Sequence, residues 1–325
     1  MKIKLLAAAI AATACGTQAF AAEVYNSEGS TLSIGGYVDV GVGEYGDDDD
    51  IQVNQVSPRL NVGGTQDIGN GVVVDAKGEW QLNYLNGGGT SFTTRLGYIG
   101  ATHETGGRLA VGTQWAPYYD VAGVADLPIA FANDFLYENQ AITGSGRGDK
   151  MVTYRNSFNV AKDSSVSLGL GWQGENTGVA DSRMQIALSV DIIGIALGYT
   201  YSGGDIGTVD ATSHVLSLAY GNYGNGVYVA TVYGMNENFY DGLEESIQME
   251  SLFAYGLGNG VNLSLNYEAV LDDKNDLTQF SQSALQAEYT VTPNLVTFAG
   301  YQFDLGDDYG TEEDDKWIIG ARYFL

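Results

Sequence analysis

The sequence predicts an all-β fold: a transmembrane antiparallel β-barrel of about 16 strands, with short turns at one end and long loops at the other. Three observations predict it. Apolar and polar residues alternate with a period of two through most of the chain. The connections between the alternating segments are by turns short and long. The composition is rich in Gly (45) and Tyr (22) with only 4 Pro, which favours strands over disorder. A period of two gives each strand one apolar and one polar face, as needed between lipid and water. In lipid only helices and closed barrels satisfy every backbone group, and no segment after residue 21 approaches the roughly 18–20 apolar residues of a spanning helix.

The chain opens with Met1-Lys2-Ile3-Lys4, an apolar run from Leu5 to about Ala14, and Ala19-Phe20-Ala21. A basic start, a short apolar core and a small-x-small site define a secretory signal peptide over residues 1–21, leaving one domain over 22–325. The only cysteine, Cys15, lies in that leader, so the exported part has no thiol or disulfide chemistry. The charge is −26, with 40 acidic against 14 basic residues. Nucleic acid, whose phosphates need a basic face, is excluded as a partner.

From Leu32, the residues Leu32, Ile34, Val38, Val40 and Val42 alternate with Ser33, Gly35, Tyr37, Asp39 and Gly41. Over 72–82, Val74, Ala76, Trp80 and Leu82 alternate with Asp75, Lys77, Glu79 and Gln81. The pattern returns at 184–190, 215–219, 284–289 and 317–325. The short connections are 67–71, 104–107, 221–225, 258–260 and 292–294. The long ones, mostly polar and often acidic, are 44–50, 83–91, 174–181, 202–211, 236–245, 271–278 and 304–315. A secreted β-sandwich has no reason to sort its connections this way. Trp80, Trp172 and Trp317 suit the aromatic girdles at the two membrane interfaces. The runs Asp47–Asp50 and Glu312–Asp315 lack the spacing of a calcium loop and read as solvated charge. His103 and His214 are far apart in sequence, and no catalytic or metal-ligand spacing is present, so no enzyme activity and no cofactor is expected.

One stretch breaks the rule. Over Tyr119–Phe131 (YDVAGVADLPIAF) the alternation stops, and no clear strand resumes until about Arg147. A connection this long without secondary structure is usually functional or disordered.

Several segments resemble the trimeric general diffusion porins of Gram-negative outer membranes (the OmpF/OmpC type). Residues 22–29 (AEVYNSEG) look like the family's mature N-terminus and Thr94–Gly100 like its fourth strand. Leu109–Gly112, Tyr119–Val121 and Asp126–Pro128 resemble its fifth strand and third loop, and Arg147–Ser157 its sixth strand. The resemblance implies a third loop folded into the lumen, with an acidic loop residue, Asp126, facing a basic wall cluster, Arg59, Arg95 and Arg147. Parity supports an inward direction for these arginines if Leu60, Val62, Leu96, Tyr98, Val152 and Tyr154 face lipid. Tyr37 stands where the family's first strand carries a base. No second loop acid is evident, although Asp134 or Glu138 could substitute. Lys77, Glu79, Arg155, Trp115 and Tyr118 are further candidates for the lumen.

The resemblance also implies a homotrimer in the outer membrane of a Gram-negative bacterium, in contact with lipid and lipopolysaccharide and delivered by the barrel-assembly machinery. Its permeants would be small hydrophilic solutes and cations, crossing by passive diffusion, with cation selectivity expected from the acidic mouth. The alternative is a substrate-specific channel for sugars or oligosaccharides, which would need exposed aromatic rings at the constriction. The final strand places Trp317, Ile319, Ala321, Tyr323 and Leu325 on one lipid-facing side, with leucine where the family usually ends in phenylalanine.

Overall fold

A computed structural model describes residues 22–45, 50–85, 89–132, 134–240, 242–310 and 314–325. The proposed signal peptide, most of the acidic run at 47–50 and residues Glu312 and Glu313 lie outside the described residues. The strands are β1 (Ala22–Ser27), β2 (Ser30–Glu44), β3 (Gln52–Asn54), β4 (Arg59–Gly69), β5 (Val72–Leu82), β6 (Phe92–His103), β7 (Gly107–Trp115), β8 (Arg147–Ala161), β9 (Ser164–Gln173), β10 (Arg183–Ile192), β11 (Ile195–Ile206), β12 (Val209–Asn222), β13 (Asn225–Glu237), β14 (Glu245–Gly256), β15 (Val261–Asp272), β16 (Leu277–Thr292), β17 (Leu295–Asp304) and β18 (Lys316–Phe324). Each long strand pairs antiparallel with its neighbours in sequence, and β18 returns to β2, closing a barrel of 16 strands.

The closure uses both ends of the domain. The upper half of β2 pairs with β18, Phe324 opposite Tyr37. The lower half, on the same side, pairs with β1, Ala22 opposite Ile34. β18 and β1 therefore share one lane, end to end, and the Leu325 amide donates to the Gly36 carbonyl at 3.0 Å. On β18, Ile319 and Tyr323 point outward with Leu325, while Ile318, Arg322 and Phe324 are buried toward the interior. Deleting Leu325 removes the amide that meets Gly36 and the apolar group ending the lipid-facing row. It is expected to lower the yield of folded, heat-modifiable protein on a cold-versus-boiled gel; an undiminished yield would show that the lane closes without it.

Two loops are smaller than the sequence suggests. β11 and β12 pair out to Ile206 opposite Val209, so the connection expected at 202–211 is the two-residue turn Gly207-Thr208, with Gly207 at φ +62°. β15 and β16 pair to Asp272 opposite Leu277, shrinking 271–278 to four residues. In the second hairpin Val270 is fully buried and packs with Phe135, Leu243 and Phe280, so the strands stay paired where the apolar–polar alternation is lost. Loss of alternation therefore does not mark the end of the strand.

One parity assignment is corrected. Leu96 and Tyr98 pair directly with Glu79 and Lys77, and directly opposed residues share a face. Both thus lie on the lumen side. Arg95 reaches the same side because the register shifts there, Glu79 pairing with Leu96 and Trp80 with Thr94. A bulge places two residues opposite one and breaks the period of two.

Candidate functional site: the constriction of the lumen

The segment between β7 and β8, residues 116–146, turns into the barrel. It forms a short helix, Pro117–Ala122, then a 3-10 turn, Gly123–Ala125, and a second pair of turns, Asp134–Tyr137 and Gln140–Thr143. Pro117 suits the first helical position, where its missing N–H is not needed. Tyr118, Val121, Ala122 and Ala125 fall on one helical face, and all are fully buried. They pack toward Val215, Ala219, Ala230, Val232, Leu252 and Ala254, which face inward from β12, β13 and β14. The wall of a water-filled pore carries these apolar side chains because the loop covers them. Further along, Ala130 and Phe131 pack with Ala284, Phe298 and Ile318 of β16, β17 and β18.

Wall side chains satisfy the loop's backbone, as any buried polar group requires. The Tyr228 hydroxyl donates to the Val124 carbonyl at 2.7 Å. Glu288 accepts from the Ile129 amide at 2.9 Å. Gln286 accepts from the amides of Ala130 and Phe131 at 3.2 and 3.0 Å and donates back to the Phe131 carbonyl at 2.5 Å. On the near limb Arg155 holds Asp120 with Nε–Oδ2 2.6 Å and donates to the Trp115 carbonyl at 2.9 Å. Arg155 is thus a strut under the loop and not a free lumen charge.

Across the lumen stands a charged wall. The Glu79 carboxylate meets Lys77 Nζ at 3.0 Å, Arg95 Nε at 3.1 Å and Arg59 Nη1 at 3.7 Å. Arg147 lies over the rings of Trp115 (5.3 Å) and Tyr137 (5.7 Å), with no carboxylate in ion-pair range among the described residues. Asp126 accepts from the Tyr119 hydroxyl at 2.6 Å and from that of Tyr137. Protein crowding around its carboxyl raises the Asp126 pKa, against the lowering pull of those hydroxyls and of Arg59 and Arg147. Part of its surface remains open to the lumen, which tempers that rise.

Other candidates sit differently. Tyr118 does not line the lumen: it is fully buried against the wall and shares a 2.9 Å hydrogen bond with Ser213. Tyr37 is only 2 % exposed, because the guanidiniums of Arg59 (4.8 Å) and Arg322 (4.0 Å) cover its ring. Glu138 is exposed on the loop's reversal, and the side chain of Asp134 lies outside the described residues. Sequence reading missed the Asp39–Arg322 ion pair, 2.8 Å, beside Tyr37. Parity puts both residues inward, but only the register of the closing strands, Asp39 opposite Arg322, brings them together.

A family model described as Gram-negative porin matches residues 6–325. This chain belongs to that family. The porin is 26% identical to outer membrane protein S2 of Salmonella typhi, over 99% of this chain and 100% of the relative. It is 23% identical to outer membrane porin F of Escherichia coli, over 99% of each. Among solved structures it is similar to Salmonella typhi OmpF in complex with daunomycin (TM-score 0.77, 18% identity, 94% of this chain and 100% of that one). It is also similar to an anion-selective porin from Comamonas acidovorans (TM-score 0.72, 15% identity, 91% and 100%). The porin is an outer-membrane channel protein and not an enzyme.

Proposed function

We propose that the porin is a homotrimer passing ions and small hydrophilic solutes by passive diffusion, moderately cation-selective at low ionic strength. The observation that carries this reading is the inward loop, clamped to one wall, whose Asp126 lies within electrostatic reach of Arg59 and Arg147. Such a constriction sorts solutes by size and wall charge. Four bases (Arg59, Lys77, Arg95, Arg147) and two acids (Glu79, Asp126) compose it, a locally positive set. The chain as a whole carries −26, much of it in the long loops. A cleft of one sign with low-dielectric walls concentrates counter-ions, and we expect this acidic mouth to outweigh the constriction. Removal of residues 1–21, contact with lipopolysaccharide and delivery by the barrel-assembly machinery belong to the same reading.

The sugar-specific alternative is disfavoured because the aromatic faces are already occupied. Trp115 packs against Tyr119, centroids 4.2 Å apart and the rings tilted by 31°, beneath Arg147, and Tyr37 is enclosed by two guanidiniums.

The test is the zero-current potential across a salt gradient in a planar bilayer. Wild type should favour cations at about 0.1 M salt and lose much of that preference near 1 M, where the Debye length falls from about 10 to 3 Å. Asp126→Asn should reduce the preference. Because the Asp126 pKa is raised, its negative charge is lost at a higher pH than an ordinary carboxylate's as the solution is acidified. The part of the pH dependence that this removes should be missing from Asp126→Asn. An anion-preferring wild type would refute the selectivity assignment.

A further inference from the structure

We infer that Glu79 sets the ion preference of the pore by masking its basic wall, an assignment that rests on the constriction described above. Glu79 sits on β5 with its side chain 5% exposed, beneath bases that reach further toward the lumen: Arg59 at 19%, Lys77 at 21% and Arg95 at 9%. One oxygen serves Arg95 and Arg59, the other Lys77. A cation passing at the far side of the opening feels the sum of this cluster, because the separations inside it are about 3–4 Å and the Debye length at 0.1 M is about 10 Å. With Glu79 ionised the cluster acts as two positive charges instead of three. No other carboxylate lies in ion-pair range of Arg59 or Arg95 among the described residues, so nothing else on the wall supplies this compensation. Asp126, on the loop, repels anions directly. Glu79 acts through the bases it neutralises and is a specificity-determining residue of the wall.

The experiment compares wild type, Glu79→Gln, Lys77→Gln and the double variant Glu79→Gln/Lys77→Gln. Each is purified as the folded trimer and read by zero-current potential in a potassium chloride gradient centred near 0.1 M and again near 1 M. Glu79→Gln should lower the potassium-to-chloride permeability ratio about two- to threefold at the lower salt and much less at the higher. Lys77→Gln should move the ratio the other way. The double variant, which restores the charge count, should match wild type. A change in packing or pore width would instead alter conductance alike at both salts and would not be undone by the second substitution. A folded Glu79→Gln channel with the wild-type ratio at 0.1 M would overturn the assignment. So would a double variant that keeps the full Glu79→Gln shift. If Glu79→Gln alone does not fold, the double variant decides: a match to wild type supports the role, and a match to Lys77→Gln overturns it. All shifts are read relative to wild type, so an anion-preferring wild type would refute the proposed selectivity while leaving this test intact.

Discussion

Asp39→Leu is expected to abolish most recovery of the folded barrel. Asp39 and Arg322 are 0% and 3% exposed, facing each other across the seam where β18 meets β2. One Asp39 oxygen takes two bonds from Arg322, Nη2 at 2.8 Å and Nε at 3.1 Å. The other takes the Val56 amide at 3.0 Å and the Ser57 amide at 3.3 Å, seating the first loop against the inner wall. Without the carboxylate, Arg322 keeps the Ser57 hydroxyl and the Tyr37 ring but no counter-charge. Removing one partner of a buried pair typically costs about 3–5 kcal/mol, and here the loss falls on the contact that closes the ring. The measurement is the folded fraction by heat-modifiability and the denaturation midpoint in detergent. Replacing both partners by apolar residues is often neutral, so Asp39→Leu/Arg322→Leu should regain part of the loss. An Asp39→Leu barrel with the wild-type midpoint would remove the pair from any role in closure.

What the sequence disclosed follows from which forces act within a strand and which across strands. The period of two is a local property of each segment, so the barrel and its lipid-facing rows could be read directly. Val38, Val40 and Val42 are all exposed outward, as their alternation implied. The bulge at Arg95 is a fact about the β5–β6 register. It therefore misled a parity argument that reached the right direction for Arg95 from the wrong faces for Leu96 and Tyr98. The Asp39–Arg322 pair depends on residues 283 apart in sequence meeting at the seam. The loop was legible only as a break in pattern. Its apolar positions, Tyr118, Val121, Ala122 and Ala125, carry a helical spacing too short to declare itself. Its docking surface is spread over β12, β13 and β14 as inward-facing Val and Ala that alternation alone treats as unremarkable lumen positions.

The second large effect expected concerns the loop's far limb, held by β15 and β16. Gln286→Ala combined with Asn266→Ala should free the far limb of the loop while leaving the barrel folded. Gln286 supplies the acceptor for the Ala130 and Phe131 amides, and Gln286 and Asn266 together supply both donors to the Phe131 carbonyl, at 2.5 and 2.6 Å. All these groups are buried. Stripped of partners in place, each would cost about 1–3 kcal/mol, so the limb gains more by lifting into lumen water. The apolar contact of Phe131 with Phe298 and Ile318, about 2 kcal/mol for one buried large side chain, and the retained bonds of Glu288 to the Ile129 amide and of Tyr45 to the Ala130 carbonyl oppose this, so the limb opens for part of the time. The near limb stays docked through Tyr118 and the Asp120–Arg155 pair, so the result is a loosened constriction, not an absent one. Both substituted side chains face inward, and the one cross-strand bond lost is that of the Ala284 amide to Asn266 Oδ1, 2.8 Å, so heat-modifiability should stay near wild type. Single-channel recordings should show higher, noisier conductance, and liposome-swelling rates should rise most for the largest sugars that wild type passes slowly. Wild-type conductance and size dependence in a folded double variant would mean that the apolar face and the remaining anchors at Glu288, Tyr228 and Arg155 hold the loop, with Gln286 and Asn266 contributing nothing to the width of the pore.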